Sequence, residues 1–302
     1  MTRHLLEISD LTPDEIKIVL DYAERPTTGE LSNKGAALLF EKPSNRTRNS
    51  MEMAIIQLGG HPVTIRPDEV GLGKRESTGD IAQTLSCYHA FIGARVFEHA
   101  TVQELADYAT VPVINMLSDI AHPLQALADL LTIRQEFLEL EGLRIAYIGD
   151  ANNVARSLAI AAGMMDMEFS VASPKGYEFS NSDIETIQQT GINILQTEDP
   201  HQALQGASVI YTDVWTSMGQ EAERETRLRD FSEFTITPEL VNKAKKESIF
   251  MHCLPAHPGE ETTREVLDGK NSRIWKQAEN RMHSARGLLM FLLNAGISEH
   301  GN

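Results

Sequence analysis

Short apolar runs alternate with longer amphipathic stretches along almost the whole chain, and this rhythm restricts the possible folds more than any other feature. In the first half, the run at 35–40 is followed by a helical stretch carrying Met51, Met53, Ala54, Ile55 and Leu58. Segments at 61–66, 80–88, 90–93, 101–108, 111–115 and 124–137 continue the pattern. A charged connection between Gln135 and Gly142 interrupts it, and 143–150 then opens a second series. In that series strands are expected near 169–172, 192–195, 208–211 and 248–252, with helices starting near Asn153, Ser182 and Pro238. Strands separated by helices form parallel sheets covered on both faces. The expected fold class is therefore α/β, with two doubly wound domains, each a mostly parallel sheet flanked by helices. The expected domains are 1–135, completed by a C-terminal helix over 277–302, and 136–276.

Local signals agree with this reading. Thr12, Pro13 and Glu15 have the spacing of a capping box, which starts a leading helix. The closing stretch at 277–293 carries Ala285, Leu288, Leu289, Phe291 and Leu292 and is long enough to reach back across the first domain. Only 216–233 lacks an evident element; charged and glycine-containing, it reads either as a mobile active-site loop or as an ordinary surface excursion.

Composition excludes several classes of function. At 302 residues, 41% of them apolar, the chain can build proper cores. Lys plus Arg number 27 against 43 Asp plus Glu, and a net charge of -16 opposes nonspecific binding to nucleic acid or anionic membrane. Any anionic ligand must be held by a local arginine cluster. Cys87 and Cys253 are too few for a disulfide framework and lack zinc-site spacing. With neither a signal-peptide core at the start nor a membrane-spanning run later, the expected compartment is the cytoplasm.

The run from Phe40 to Arg48 offers such a cluster. Ser44, Asn45, Arg46, Thr47 and Arg48 lie between the expected strand and helix. A helix N-terminus presents free N–H groups and the positive end of its dipole, and guanidiniums match phosphate oxygens in pairs. The other reading is a basic helix start on a solvated surface. Three further turns follow strands. His122 and Gln125 open the helix at 124–137, as a carbonyl-binding pair or as capping and packing residues. The run from Gly149 to Val154 lacks the three spaced glycines of a dinucleotide site, so Asn152 and Asn153 are either helix caps or amide donors to a carboxylate. Asp213, with Ser217 and Met218, suits an amino acid's charged groups, and Cys253, between His252 and Leu254, is a nucleophile or a polar lining residue. In a two-domain parallel architecture, turns at the carboxyl ends of strands converge on the interdomain crevice.

Together these residues resemble the transcarbamoylase family, over nearly the whole chain and in the family's order: the clamp at 44–48, Arg95, His122 to Gln125, Asn153, Asp213 with Ser217-Met218-Gly219, His252 to Pro255, and Glu279-Asn280-Arg281. The Ser-Met-Gly and His-Cys-Leu-Pro runs are similar to those of its ornithine branch. The resemblance implies that Ser44, Asn45, Arg46, Thr47, Arg95, His122, Gln125, Cys253, Leu254 and Arg281 hold carbamoyl phosphate. It implies that Asn153, Asp213, Ser217 and Met218 hold ornithine, and that Arg46, Arg95, His122, Asp213 and Cys253 are catalytic. The implied reaction is attack of a neutral δ-amine on the carbamoyl carbon with loss of phosphate, which needs neither metal nor organic cofactor. Acceptors weighed beside ornithine are putrescine and N-modified ornithine; a nonenzymatic amino-acid-binding homologue is the further alternative. The implied assembly is a homotrimer. Gly71 stands where many members offer Gln to a neighbouring subunit, which leaves Lys74 or Arg75 as substitutes, and Lys74→Ala or Arg75→Ala is then expected to raise KM for carbamoyl phosphate in a steady-state assay.

Overall fold

The computed structural model describes residues 2–71, 76–217 and 219–298. It divides into two compact units, Met1–Leu131 with Glu279–Asn302, and Thr132–Ala278.

After a 3-10 turn at Ile8–Asp10, the first unit continues with α1 (Pro13–Ala23), capped by Thr12 and closed by the Glu15 capping box. Then come β1 (Gly35–Phe40), α2 (Asn45–Gln57), β2 (His61–Ile65), the short α3 (Pro67–Val70), α4 (Thr78–Tyr88), β3 (His89–Arg95), α5 (His99–Tyr108), β4 (Val113–Leu117) and the start of α6 (Pro123–Phe137). The strands pair in parallel in the order β2-β1-β3-β4. All of β1 beyond Gly35 is buried, as a strand covered on both faces must be. On one face Ala37, Leu39, Ile92 and Ala94 pack with Ile81 and Ala82 of α4 and Val102 and Leu105 of α5. Each fully buried aliphatic side chain of Leu or Ile size contributes about 2 kcal/mol of transfer free energy. The strand order reverses between β1 and β3, so their carboxyl ends flank the position where open α/β sheets bind ligands.

In the second unit the order is β5 (Arg144–Ile148), α7 (Asn153–Met164), β6 (Glu168–Ala172), α8 (Asn181–Gln188), β7 (Ile194–Thr197), α9 (Pro200–Ala203), β8 (Val209–Thr212), α10 (Arg224–Asp230), α11 (Pro238–Val241), β9 (Ile249–His252) and α12 (Arg264–Leu267), followed by the start of α13 (Ile274–Ser298). Its all-parallel sheet runs β7-β6-β5-β8-β9 and reverses between β5 and β8. One face is aromatic, with Tyr147 stacked 5.4 Å from Tyr211. Another cluster gathers Ile148, Ile210, Trp215, Phe231, Phe234 and Phe250.

The structure corrects two expectations. Met53 lies outside the apolar stripe of α2 and is 43% exposed. Met51, Ala54, Ile55 and Leu58 follow the i, i+3, i+4, i+7 arc, and Met53 falls off it. The segment 216–233, expected to be without structure, contains α10 between 3-10 turns at Glu221–Glu223 and Ser232–Phe234. The buried positions of α10 and the residues just after it are Arg227, Phe231 and Phe234, again at helical spacing, but the first is charged and hides the pattern. No helix among the described residues is long and apolar enough to cross a membrane.

Residues from Glu279 onward return α13 to the first unit. There Gly287 touches α1: a Cβ added to it lies 2.3 Å from the Val19 carbonyl oxygen and 2.6 Å from the Ala23 nitrogen. Both neighbours are backbone and cannot yield as a side chain would. Gly287→Ala is expected to destabilise the protein by about 1–3 kcal/mol through overpacking, read as a lower urea midpoint. An unchanged midpoint would show that the two helices separate freely.

Candidate active site

In the first unit the turn after β1 makes the site. Ser44 is the N-cap of α2, and its hydroxyl accepts from the Thr47 N–H at 3.2 Å. The remaining N–H groups of that first turn have no intrahelical acceptor. Thr47 is 2% exposed, and its Oγ1 accepts from Arg95 Nη1 at 3.3 Å and from Arg281 Nη2 at 3.2 Å. Arg281 Nη1 donates to Gln125 Oε1 at 2.5 Å, while Gln125 Nε2 donates to the buried Asp129 at 2.8 Å. Strand β3 delivers Arg95 at its last residue, α6 delivers Gln125, and α13 delivers Arg281.

Burial, the Arg281 charge and the Arg95 charge, in that order, hold the His122 imidazole well below its ordinary proton affinity. At neutral pH it is therefore an uncharged ring beside two cations. Lys42, just before the clamp, is likewise pushed down by burial and then by Arg95. Its ammonium sits 4.5 Å from the centre of the Phe97 ring.

The two clamp arginines part company. Arg46 is half-buried, and no hydrogen bond or ion pair occupies it among the described residues. Arg48 turns along the helix to Glu52 at 2.8 Å, a pair that Thr64 completes by donating to the same carboxylate at 2.6 Å. The i,i+4 geometry that makes this pair takes Arg48 out of the clamp. Asn45 is exposed, and its Oδ1 accepts from Asn49 at 2.9 Å.

The second unit builds its cluster around Asp213, directly after β8. Asp213 Oδ1 accepts from the Val214 N–H at 2.8 Å and from the Cys253 thiol at 2.9 Å, and Oδ2 accepts from Asn152 Nδ2 at 3.0 Å. Asn152 is also the N-cap of α7, accepting from Val154 and Ala155. Asn153 is the first residue of that helix and half-buried. Ser217 is half-buried, with its N–H donating to Gln220 at 3.0 Å. Met218 lies outside the described residues, as do Lys74 and Arg75.

Leu254 adopts φ 60°, a left-handed conformation unusual for a residue with a branched side chain. Its N–H donates to His252 Nδ1 at 2.9 Å, which places the ring proton on Nε2. That nitrogen meets Glu261 Oε1 at 3.0 Å, with both side chains fully buried. Sequence reasoning overlooked Glu261: as the second of two adjacent glutamates before a threonine pair, it looks like surface charge. Asp213, His252 and Cys253 bring potential metal-ligand atoms within 4.8 Å of one another, as do His257, Glu260 and Glu261. Both His252 ring nitrogens are already engaged, and Glu260 pairs with Arg224.

Comparison with known proteins also finds two parts, with the closing helix as far as residue 292 counted in the second rather than the first. The carbamoyl-P binding domain of aspartate/ornithine carbamoyltransferases matches residues 3–135, and their Asp/Orn binding domain matches 141–292. The chain is 49% identical to the ornithine carbamoyltransferase of Thermus thermophilus, covering 97% of each chain. It is 50% identical to that of Acidothermus cellulolyticus, covering 98% of each. The solved ornithine carbamoyltransferase of Pyrococcus furiosus superposes with a TM-score of 0.93 at 44% identity, over 97% of each chain. The chain belongs to the aspartate/ornithine carbamoyltransferase family.

Proposed function

We propose that the protein transfers the carbamoyl group of carbamoyl phosphate to the δ-amine of L-ornithine, giving L-citrulline and phosphate. The observation that carries this reading is the meeting of two buried guanidiniums, Arg95 and Arg281, on Thr47 beside a neutral His122, in a chain whose net charge is -16. Relatives named ornithine carbamoyltransferase, at 43–50% identity, support ornithine as the acceptor.

The phosphate lies against the α2 N-terminus, held by Ser44, Asn45, Arg46 and Thr47 together with Arg95 and Arg281. The carbonyl oxygen takes hydrogen bonds from Arg95 and His122, while Gln125 and the Leu254 carbonyl orient the amide; Cys253 completes the lining. Asn153, Asp213, Ser217 and Met218 hold the α-amino and carboxylate groups of ornithine. The uncharged δ-amine attacks the carbonyl carbon, a tetrahedral intermediate forms, and its collapse breaks the bond to the phosphate oxygen while a proton passes from the attacking nitrogen to the departing phosphate. Charge grows on both the carbonyl and the phosphate oxygens, where fixed donors stabilise the transition state more than the ground state. The protein works as a homotrimer in the cytoplasm, a reading supported by the family resemblance and by the two free cysteines. In that assembly Lys74 or Arg75 serves a neighbouring subunit in place of the missing Gln.

The direct test is citrulline formation from carbamoyl phosphate, with ornithine and putrescine assayed side by side. Arg46→Ala is expected to lower kcat by about 100- to 1000-fold, the usual cost of one transition-state donor. Faster carbamoylation of putrescine would overturn ornithine as the acceptor, and an unaffected Arg46→Ala would remove that residue from the clamp.

His122 adds a stability test. Its proton affinity is depressed below the ordinary 6.5 in the folded chain. The unfolded chain therefore binds a proton near that pH that the folded chain does not, and stability falls as pH drops through about 6.5. His4 and His89 are shifted in the same direction. His122→Asn is expected to flatten the loss of urea resistance between about pH 7 and pH 5. Parallel curves for the variant and the parent would show that the imidazole titrates normally.

A further inference from the structure

Arg227, in the middle of α10, lies outside every motif that pointed to the site. Its side chain is only 7% exposed. Nη1 donates to Asp150 Oδ2 at 2.6 Å and to the Trp215 carbonyl at 3.0 Å, and Nε donates to Glu223 at 3.0 Å. The guanidinium also lies 4.9 Å from the centre of the Tyr177 ring, whose hydroxyl donates to Asp230 at 2.9 Å. Only a planar fork meets all these groups at once; an ammonium on a Lys stem cannot.

The two partners of Nη1 belong to the loops that follow the switch strands. Asp150 is on the turn after β5, two residues before Asn152, whose amide donates to Asp213. Trp215 is two residues after Asp213 and two before Ser217; its indole is buried and stacks on Phe231 at 5.5 Å. One cation therefore fixes the spacing between the segment carrying Asn153 and the segment carrying Asp213 and Ser217. It also neutralises Asp150, whose carboxyl is pushed up by burial and by the nearby Asp213 and Glu223 charges despite Arg227.

We propose that Arg227 is a positioning residue for the α-amino-acid end of the acceptor, acting by holding the Trp215 carbonyl and Asp150 together so that Asn153, Asp213 and Ser217 present one preformed site. The inference rests on the ornithine reading above. It assigns Arg227 no contact with substrate and no part in binding carbamoyl phosphate.

The experiment is bisubstrate steady-state kinetics on the full-length protein and its Arg227→Lys variant. L-norvaline, which is ornithine without its δ-amine, serves as a competitive probe of the α-amino-acid end. Arg227→Lys is expected to raise both the ornithine KM and the norvaline inhibition constant about tenfold, the loss expected for one charge-assisted hydrogen bond. KM for carbamoyl phosphate should stay within about twofold, since the helix terminus and guanidiniums assigned to its phosphate lie in the first unit. Equal increases in both substrate constants would mark Arg227 as merely structural. A fall in kcat with the ornithine and norvaline constants unchanged would also overturn the proposal. Should Arg227→Lys fail to fold, Asp150→Asn keeps the volume and an acceptor oxygen while removing the charge. It is expected to raise the same two constants about threefold, and unchanged constants would refute the idea. A parent protein that makes no citrulline would instead overturn the function itself, and this inference with it.

Discussion

Two buried guanidiniums share one hydroxyl: Arg95 and Arg281 both donate to Thr47 Oγ1. Like charges held close together repel, and more strongly as burial lowers the effective dielectric. A fold that gathers them must recover that energy from packing elsewhere. The first unit does so with elements that reach far along the chain. Arg95 ends a buried strand, Thr47 sits in the first turn of a capped helix, and Arg281 arrives on α13, whose later turns press Gly287 against α1. The fold's own elements hold this arrangement, which is what electrostatic preorganisation requires.

The second unit solves a different problem. It holds an anion, Asp213, and satisfies it with neutral donors: a backbone N–H, the Asn152 amide and the Cys253 thiol. Neutral donors fix the carboxylate's orientation without cancelling its charge, so its field remains available to a cationic group. The Cys253 thiol is one of the three neutral donors that orient Asp213. The left-handed Leu254 is stabilised by the chain from its N–H through His252 to the buried Glu261.

What the sequence discloses is mostly what is local. Thr12 is legible as a cap because the cap, the N–H that donates to it and the helix start lie within a few residues. The strands are legible because burial on both faces leaves continuous apolar runs. Side-chain pairing is harder to read. Arg48 and Arg46 are alike as letters, yet Glu52 stands one turn along from Arg48 and captures it. Helix α10 escapes notice because its one buried residue is an arginine, whose partner Asp150 lies 77 residues away. The contact between Thr47 and Arg281 spans 234 residues, and no spacing rule reaches that far. Family resemblance supplied Arg281 as a candidate; residue chemistry alone did not.

The field that prepares the anion site also governs its neighbours. Arg95 lowers the proton affinity of both His122 and Lys42, in each case after burial has done the larger part. Coupling of this kind is reciprocal: if positive charge makes protons harder to bind, an anion that neutralises it makes them easier to bind. In the proposed reaction, a phosphate bound beside these cations therefore raises the proton affinity of His122. As the amine attacks in that reaction, negative charge grows on the carbonyl oxygen, and an imidazole beside it becomes easier to protonate. An imidazolium held there from the start would instead add a third cation to an already repulsive cluster, at a cost the resting fold avoids by keeping the ring neutral.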